Sequence, residues 1–362
     1  MSKTYKVVVL GMGKRGKHHA SAFQKNPRFE LVGVADPVAS QLEKAAPELG
    51  VGVKTATDPA ALLRDAKPDL FCFCTPPQIR LELIKLGAST GAKLIAYEKP
   101  IALSMNEALE IRKVVKGAGV KTVVSHQHRY GKHYAKVREI VASGALGRVH
   151  TVYATAVGWF MHMMTHLVDY MCWFNGYSPA EWVMAQAAGR SKFADNHPSP
   201  DFVAGVIQFA NGVRGTVECG AGAADVPEVD YWWRKNRIGA LGTQGFAEAL
   251  TGGGWRAVTK DGALNGDGSM DYEHDMGPYV QEMADWLDDE KKIHPCNGEN
   301  AHLGMEISMG LLRSIAERGQ VKLPLGSSAE PELEMVKKAL PDRPVILSIE
   351  GSRKEYPASA PK

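Results

Sequence analysis

The sequence has few cysteines, no long apolar run and no lysine-rich tract. Its five cysteines are an odd number without Cys-x-x-Cys spacing. Cys72 and Cys74 lie in the apolar stretch FCFCTPP, which predicts that both are small thiols in a protein core. No window approaches the roughly 20 apolar residues that span a bilayer. No charged segment, apolar stretch and small-residue cleavage site precede the first strand pattern, so we expect a cytoplasmic protein without a secretory signal.

The composition itself is that of an ordinary globular protein. The chain has 362 residues, of which 44% are hydrophobic and 23% charged. This length exceeds what one small core usually serves, which favours two domains. The formal net charge is only +3, and without a lysine-rich tract it implies neither nucleic acid nor a membrane as a partner.

The first third of the chain has the pattern of a dinucleotide-binding fold. Gly11, Gly13 and Gly16 form Gly-x-Gly-x-x-Gly between an apolar strand pattern and a helical pattern. These glycines allow a tight turn and a close approach to a pyrophosphate at the helix N-terminus. Asp36 ends the next strand pattern, about 20 residues further on, where an acid binds the ribose and repels a 2′-phosphate. Val38 stands where an NADP enzyme often has an arginine, so the sequence favours NAD.

Strand and helix patterns continue to alternate after Asp36, which predicts right-handed crossovers and a parallel sheet. Ligands bind outside the carboxyl ends of such strands. CTPP (74–77) and YEKP (97–100) both fall at such ends. The predicted cofactor-binding residues are Gly11, Met12, Gly13, Lys14, Arg15, Gly16, Asp36, Pro37, Thr75, Pro76, Glu98 and Lys99.

Lys99 is the first candidate for catalysis. It follows a buried strand pattern, and Pro100 favours an extended conformation for it. At that strand end, its side chain would face the nicotinamide end of the cofactor. Desolvation or a nearby cation lowers a lysine pKa, and Lys99 could then exchange a proton with a hydroxyl group during oxidation. The alternative is a solvated surface lysine.

Together with these motifs, the chain resembles the Gfo/Idh/MocA family of oxidoreductases over roughly residues 5–325. The motifs that carry the resemblance are GMGKRG, Asp36, CTPP, EKP, HRY (128–130), the helix with His166 and Asp169, and CNGENAHLGMEISMGLLRSIAERGQVKLPL. The last of these is similar to the final helix and strand of the family.

The resemblance implies an α/β protein with a doubly wound Rossmann sheet, followed by an α/β domain with an open, mostly antiparallel sheet. We expect an NAD-binding domain over 1–124, a substrate-binding and oligomerisation domain over 125–325, and a C-terminal extension over 326–362. The resemblance also implies hydride transfer with a sugar, cyclitol or related polyol. It makes Lys99 and His166 catalytic and predicts a homo-oligomer, a dimer or a tetramer.

The segment HMMTH places His162 and His166 four residues apart, with Asp169 three further on, as one stripe of a helix. The family usually has Asp-x-Gly-x-His here, so His162 replaces an aspartate. A histidine offers no negative charge, and the protons available to the site therefore differ. We predict acid/base chemistry or substrate binding for this stripe and include His162 among the catalytic residues. A metal site and an ordinary helix face are the alternatives, and no metal is predicted.

The segment DYWWRKNRIG is a second candidate for substrate binding. Aromatic faces stack on sugar rings, and arginines bind carboxylate, sulfonate or phosphate groups. The alternative is an exposed strand edge with solvated charges. The predicted substrate-binding residues are Arg129, Tyr153, Trp159, Asp169, Trp233, Arg234 and Arg237.

Three functions are compatible with these patterns. The first is an NAD-dependent sugar or polyol dehydrogenase. The second is a redox-neutral glycoside hydrolase that oxidises C3 of a sugar, eliminates the aglycone, adds water and returns the hydride. His162 would supply an additional acid or base for that cycle, and an anionic sugar such as a sulfoquinovoside would suit the arginines. The third is a non-catalytic NAD-binding sensor.

Overall fold

The computed structural model describes residues 3–195 and 197–341. The chain forms two compact units, and each is built from several segments. Unit 1 contains residues up to 103, residues 107–130 and residues 271–301, and unit 2 contains 104–106, 131–270 and the residues from 302. Residues 342–362 of the predicted C-terminal extension lie outside the described residues. Within the described residues, no helix is long and apolar enough to cross a membrane.

Eleven strands and α-helices alternate along the first third of the chain. They are β1 (Tyr5–Leu10), α1 (Lys14–Lys25), β2 (Phe29–Ala35), α2 (Ala39–Ala45), β3 (Lys54–Ala56), α3 (Pro59–Ala66), β4 (Leu70–Phe73), α4 (Arg80–Ser89), β5 (Leu94–Tyr97), α5 (Met105–Ala118) and β6 (Lys121–Val124). The six strands form a parallel sheet in the order β3-β2-β1-β4-β5-β6. Strands β4 and β5 are buried along their whole length, as apolar strands in a sheet covered on both faces must be.

The second part of the chain contains a larger sheet. Its elements are α6 (Lys132–Ala142), β7 (Val149–Ala156), α7 (Thr165–Phe174), β8 (Ala180–Ala188), β9 (Phe202–Phe209), β10 (Arg214–Gly220), β11 (Asn236–Gly242), β12 (Gly245–Leu250), β13 (Gly254–Thr259), β14 (Gly262–Gly266), α8 (Tyr272–Asp288), α9 (Gly298–Glu317), β15 (Val321–Lys322) and α10 (Glu332–Ala339). The nine strands pair in the order β14-β13-β12-β11-β7-β10-β9-β8-β15. Only the β7–β10 pair is parallel, so the predicted fold class is confirmed.

The turn at Asn211-Gly212 links β9 and β10, which pair antiparallel. Gly212 has φ +82°, a left-handed conformation that glycine adopts without strain. Asn-Gly between two alternating strand patterns predicts a hairpin, and the structure confirms it.

The predicted boundary between residues 124 and 125 stays a prediction, but the compact units divide the chain differently. Residues 271–301, expected in the second domain, belong to unit 1. In that unit, Tyr279 and Met283 of α8 share a buried core with Tyr5 and Phe23. The pattern of α8 alone predicts only an amphipathic helix. It does not show which core the helix completes, because Tyr5 and Phe23 lie more than 200 residues earlier in the sequence.

Helix α7 covers one face of the large sheet. Gly215 of β10 pairs with Val152 of β7, and a Cβ added at Gly215 would lie 3.1 Å from Cε of Met171 in α7. Side chains alternate between the two faces of a strand. Tyr153, which follows Val152, therefore points to the face opposite α7.

Candidate functional site

In unit 1, the loop between β1 and α1 requires glycine at two positions. Gly11 has φ +89°, and an added Cβ would lie 2.6 Å from the carbonyl oxygen of Cys74. A Cβ at Gly16 would lie only 1.5 Å from the carbonyl oxygen of Gly11. At Gly13, by contrast, no described heavy atom lies within 4 Å of an added Cβ. The backbone of Gly13 thus borders open space, where a cofactor can approach closely.

Helix α1 presents its N-terminal amides to this open space. Gly13 is the N-cap, none of the described side chains caps the helix there, and its first turn has no acidic residue. The N-terminal amide groups of a helix without such a cap attract anions. The arrangement therefore fits the pyrophosphate of a dinucleotide.

Asp36 accepts two hydrogen bonds from backbone amides, in addition to its predicted contact with the ribose. Its Oδ2 accepts a hydrogen bond of 2.7 Å from the amide of Met12, and its Oδ1 accepts one of 2.9 Å from the amide of Val38. Each carboxylate oxygen can accept a second hydrogen bond. Asp36 can therefore hold the glycine turn in place and still bind the ribose hydroxyls.

Glu98 binds two cationic or potentially cationic neighbours at the end of β5. Its Oε1 lies 3.2 Å from Arg15 Nε and 3.2 Å from His19 Nε2. Burial alone would raise the pKa of the Glu98 carboxyl, but Arg15 and His19 outweigh burial and hold it well below its usual range. Glu98 thus stays an anion that fixes α1 to the strand end.

Lys99 is half-buried at the same strand end. Burial lowers the pKa of its ammonium group to about 8, with Glu98 opposing the shift and Arg80 adding to it. Arg80 also donates a hydrogen bond of 2.9 Å from Nη2 to the backbone carbonyl of Lys99. A lysine with this pKa exists in both protonation states near neutral pH and can accept or donate a proton.

The turn after β4 adds a hydroxyl group. Thr75 Oγ1 is buried and has no hydrogen-bond partner among the described residues. Buried polar atoms are normally paired, so this hydroxyl group is suited to a bound molecule. The unpaired hydroxyl and the open space at Gly13 both fit NAD.

In unit 2, the predicted histidine stripe is not one regular α-helix. Phe160–Met164 form a turn of π-helix, and α7 begins only at Thr165. The expectation of a single helical stripe is therefore wrong in its first half, because the wider π turn changes the angle between His162 and His166. Such π turns often occur at functional sites.

His162 belongs to a cluster of indole and imidazole rings. Trp159 stacks on Trp232 at 4.9 Å between ring centroids, and His162 lies 4.8 Å from His197. Lys192 Nζ lies 4.4 Å from the centre of the Trp159 ring. Trp159 Nε1 is buried and has no hydrogen-bond partner among the described residues. We call Trp159, His162, Lys192, His197 and Trp232 the indole–imidazole cluster.

Two members of this cluster, Lys192 and His197, are not predicted from the sequence. Neither belongs to a recognisable motif, and both come from the segment between β8 and β9, which was not assigned a role. The sequence shows only that His197 precedes Pro198 in a polar segment, which does not indicate the side chain that His197 contacts.

His166 lies in the first turn of α7, where Tyr170 Oη is 3.5 Å from its Nδ1. Asp169 is fully buried. Because it is buried, Asp169 is suited to positioning neighbouring side chains rather than to contacting a substrate.

Two residues predicted to bind substrate lie on the other face of the sheet. Tyr153 donates a hydrogen bond of 2.5 Å to Glu248 Oε2, and Arg237 Nε lies 3.6 Å from the same oxygen. Arg237 pairs with Thr155 in the register of β11 and β7, so it shares the face of Tyr153. Tyr153 and Arg237 therefore lie on the sheet face away from α7, and their predicted contact with the substrate stays a prediction.

The other predicted substrate residues differ in their surroundings. Arg129 is buried and donates a hydrogen bond of 2.8 Å from Nη1 to the carbonyl of Pro295, which favours a structural role. The Arg234 guanidinium lies 4.6 Å from the Trp233 ring and 5.5 Å from the Tyr231 ring. Trp233 and Arg234 directly follow the cluster residue Trp232 in a short 3₁₀ turn.

Comparison with known proteins agrees with this geometry. Residues 5–126 match the family model "Oxidoreductase family, NAD-binding Rossmann fold", and residues 153–248 match the model of the GFO/IDH/MocA C-terminal domain. An inositol 2-dehydrogenase of Rhizobium meliloti (strain 1021) is 27% identical over 343 residues, 88% of this chain and 99% of the relative. A D-glucoside 3-dehydrogenase of Escherichia coli (strain K12) is 26% identical over 242 residues, 58% of this chain and 68% of the relative.

A solved structure shows the same fold. An oxidoreductase from Agrobacterium radiobacter, in complex with NAD⁺, L-tartaric acid and magnesium, superimposes with a TM-score of 0.75 at 16% identity. The match covers 88% of this chain and 98% of that one. With both family models matched in order along the sequence, the chain belongs to the Gfo/Idh/MocA family of oxidoreductases and carries an NAD-binding Rossmann fold.

Proposed function

We propose that this protein is an NAD-dependent dehydrogenase that oxidises a ring hydroxyl of a sugar or polyol, or reduces the corresponding ketone. The observation that carries the proposal is Lys99, whose pKa burial lowers to about 8, at a strand end of the NAD-binding fold. The relatives named as inositol and glucoside dehydrogenases support a carbohydrate substrate.

NAD, when bound, supplies the hydride acceptor at its nicotinamide ring. The chain supplies binding, orientation and a proton acceptor. In the oxidation, the substrate hydroxyl group would lose its proton to the chain as its C–H bond breaks and C=O forms, with the hydride taken up by the cofactor. The proton passes to the neutral amine of Lys99 or to the neutral imidazole of His166.

The indole–imidazole cluster is the proposed element of substrate recognition. Stacked indole rings offer an apolar face of the kind that packs on a sugar or cyclitol ring. The buried Trp159 N–H lacks a hydrogen-bond partner among the described residues and is a donor for a hydroxyl group. Trp233 and Arg234 lie beside this cluster in sequence and are proposed to border the same substrate.

The first experiment follows NADH and aglycone release together, with NAD, a panel of polyols, and neutral and anionic aryl glycosides. A dehydrogenase forms NADH in proportion to the substrate consumed and releases no aglycone. The absence of both signals with every substrate would contradict the proposal and favour an NAD-binding sensor.

One observation favours a second function. The rings of His162 and His197 meet edge to face, with 4.8 Å between their centroids. A pair of imidazoles could supply the additional acid and base that a redox-neutral glycoside hydrolase needs. The same assay distinguishes the two: NAD-dependent aglycone release without net NADH would identify the hydrolase, and His162→Ala would then be expected to abolish the elimination step.

His166→Ala should lower kcat by roughly 10²–10⁴-fold, the usual contribution of a positioned acid or base, with little change in NAD affinity. His150→Ala is the matched control, because His150 is a half-buried histidine of the same unit whose Nδ1 lies 3.0 Å from the hydroxyl group of the neighbouring Thr151. Steady-state rates and NAD titration of both variants test this. Full activity of His166→Ala would remove it from the proposed site.

We further propose that the sheet face opposite α7 binds a second copy of the chain. Exposed apolar side chains of four strands share this face: Met184, Val206, Leu241 and Val258. Met184 pairs with Val206, and Phe246 lies between Leu241 and Val258; exposed apolar patches mark interaction surfaces. Light scattering of the purified protein should show a dimer or tetramer, and Val206→Lys should shift it towards the monomer.

A further inference from the structure

Beneath the glycine turn of unit 1, two thiols and an imidazole converge. His19 lies in α1, Cys72 lies in β4, and Cys74 directly follows that strand. One donor atom of each residue lies within 4.8 Å of the other two. Cys72 Sγ is 3.6 Å from His19 Nδ1. Cys72 and His19 are fully buried, whereas Cys74 is only half-buried and gives the cluster access to solvent.

The imidazole of His19 is oriented by a carboxylate. Its Nε2 lies 3.2 Å from Glu98 Oε1 and 3.5 Å from Ser125 Oγ. When Nε2–H donates to Glu98, the lone pair of Nδ1 points towards Cys72. Metal-binding histidines almost always donate their second ring N–H to such a partner, which fixes the ring and increases the basicity of the ligating nitrogen. His19 therefore has the orientation of a ligand before any ion is present.

The donor set also satisfies the charge requirement of a buried site. A divalent cation with two thiolates and one neutral imidazole has no net charge, so its burial avoids the cost of an isolated buried ion. Nitrogen and sulfur donors suit Zn²⁺, with Zn–S distances of about 2.3 Å and Zn–N distances of about 2.0–2.1 Å. Tetrahedral ligands at these distances lie about 3.5–3.8 Å apart, so donor atoms that lie within 4.8 Å of one another need to approach by little more than about 1 Å.

We propose that His19, Cys72 and Cys74 bind a thiophilic divalent cation, with Zn²⁺ the favoured ion. Three protein ligands leave a fourth position for water or another small ligand, as in open zinc sites. Binding releases the two thiol protons, and the Nδ1 proton wherever His19 is protonated, to solvent, and forms two metal–sulfur bonds and one metal–nitrogen bond. The role proposed for Lys99 does not depend on this site.

The test uses the full-length protein, stripped with a chelator under reducing conditions and titrated with Co²⁺ as a spectroscopic probe. Thiolate ligation gives an intense sulfur-to-cobalt charge-transfer band, and Zn²⁺ should abolish this band by displacement. We expect one Co²⁺ per chain. Elemental analysis after loading with Zn²⁺ should give the same stoichiometry.

Variants locate the ion. Cys74→Ala should weaken Co²⁺ binding by at least tenfold and reduce the charge-transfer band. Cys219→Ala removes a buried thiol of unit 2 and should leave both unchanged. Because Cys74 is half-buried, Cys74→Ala should fold, and its circular dichroism provides the check.

Two results would overturn the proposal: no charge-transfer band in the wild type, or the same band and affinity in Cys74→Ala. A third measurement needs no variant. An ion that binds only the folded state raises Tm, so Zn²⁺ at concentrations above its dissociation constant should raise the Tm of the wild-type protein. An unchanged or lower Tm would contradict a site in the folded protein.

Discussion

At the scale of single residues, surroundings decide which charge a side chain carries. Lys99 and Glu98 are neighbours in sequence, and both are affected by burial. Burial lowers the pKa of Lys99 to about 8, whereas Arg15 and His19 reverse the effect of burial on Glu98 and lower its pKa. One residue can therefore exchange protons near neutral pH, while the next remains a constant anion.

Lys99 predicts a specific pH dependence. If its neutral amine accepts the substrate proton, kcat/KM for oxidation should rise about tenfold per pH unit below pH 8 and level off above it, because the pKa is lowered to about 8. For the reduction, which needs the ammonium form, the rate should fall above pH 8. Steady-state rates between pH 6 and 10 test both directions.

Lys99→Ala provides the control for that profile. It should lower kcat by roughly 10²–10⁴-fold and remove the inflection near pH 8, without abolishing NAD binding. If the variant keeps both the rate and the inflection, another group transfers the proton.

The negative charge of Asp36 should determine the selectivity for NAD over NADP. Asp36→Asn removes the negative charge that repels a 2′-phosphate but keeps one oxygen that can accept the amide of Met12 or Val38. We expect the preference for NAD over NADP to fall by at least tenfold with a modest loss of NAD affinity. Asp36→Ala should in addition weaken NAD binding, because the glycine turn loses both contacts. Fluorescence titration with each cofactor measures this, and unchanged selectivity of both variants would show that another group reads the ribose.

At the scale of secondary structure elements, the glycine turn shows two distinct uses of glycine. Gly16→Ala places a methyl group 1.5 Å from the carbonyl oxygen of Gly11, so β1 and α1 must separate. Overpacking of this kind costs about 1–3 kcal/mol or more. Thermal or denaturant unfolding should show the loss of stability.

Gly13→Ala is the matched variant. No described heavy atom lies within 4 Å of its added Cβ, so stability should change by less than about 1 kcal/mol. NAD affinity should nevertheless fall, because the methyl group occupies the space where the pyrophosphate approaches. Equal losses of stability in the two variants would contradict this division of roles.

The π turn before α7 shows the limit of periodicity. A spacing of four residues predicts one face of an α-helix, but Phe160–Met164 turn with a wider period. The side chains of His162 and Trp159 then pack with His197 and Trp232, which lie far away in sequence. The π turn therefore occurs together with contacts to distant residues, which the spacing of the local sequence does not predict.

At the scale of the whole molecule, a buried ion pair fixes part of the segment after α9 in unit 2. Arg313 Nη2 lies 2.8 Å from Glu332 Oε1, and Glu332 is fully buried. Glu332 Oε2 also accepts a hydrogen bond of 3.0 Å from the amide of Met105. One carboxylate therefore connects α10 with α9 and with the start of α5.

Arg313→Met should lower the free energy of unfolding by about 3–5 kcal/mol, because it leaves a buried carboxylate without its cation. Lys338→Ala is the control. It breaks the exposed Lys338–Glu330 ion pair, and such pairs contribute about 0–1 kcal/mol. Similar small losses in both variants would show that water or another group compensates Glu332.

The sequence by itself determined the α/β class, the glycine turn, Asp36, the end of β5 at Lys99 and the Asn-Gly hairpin. Each of these depends on short-range chemistry: apolar runs, glycine spacing and turn residues. The tertiary structure decided what depends on contacts across long separations. It placed residues 271–301 in the first core, put Tyr153 and Arg237 on the sheet face away from α7, and brought His197 to His162. A local sequence pattern cannot predict these contacts. The order of the strands, and which helix covers each face of a sheet, depend on packing between segments that are far apart in the sequence.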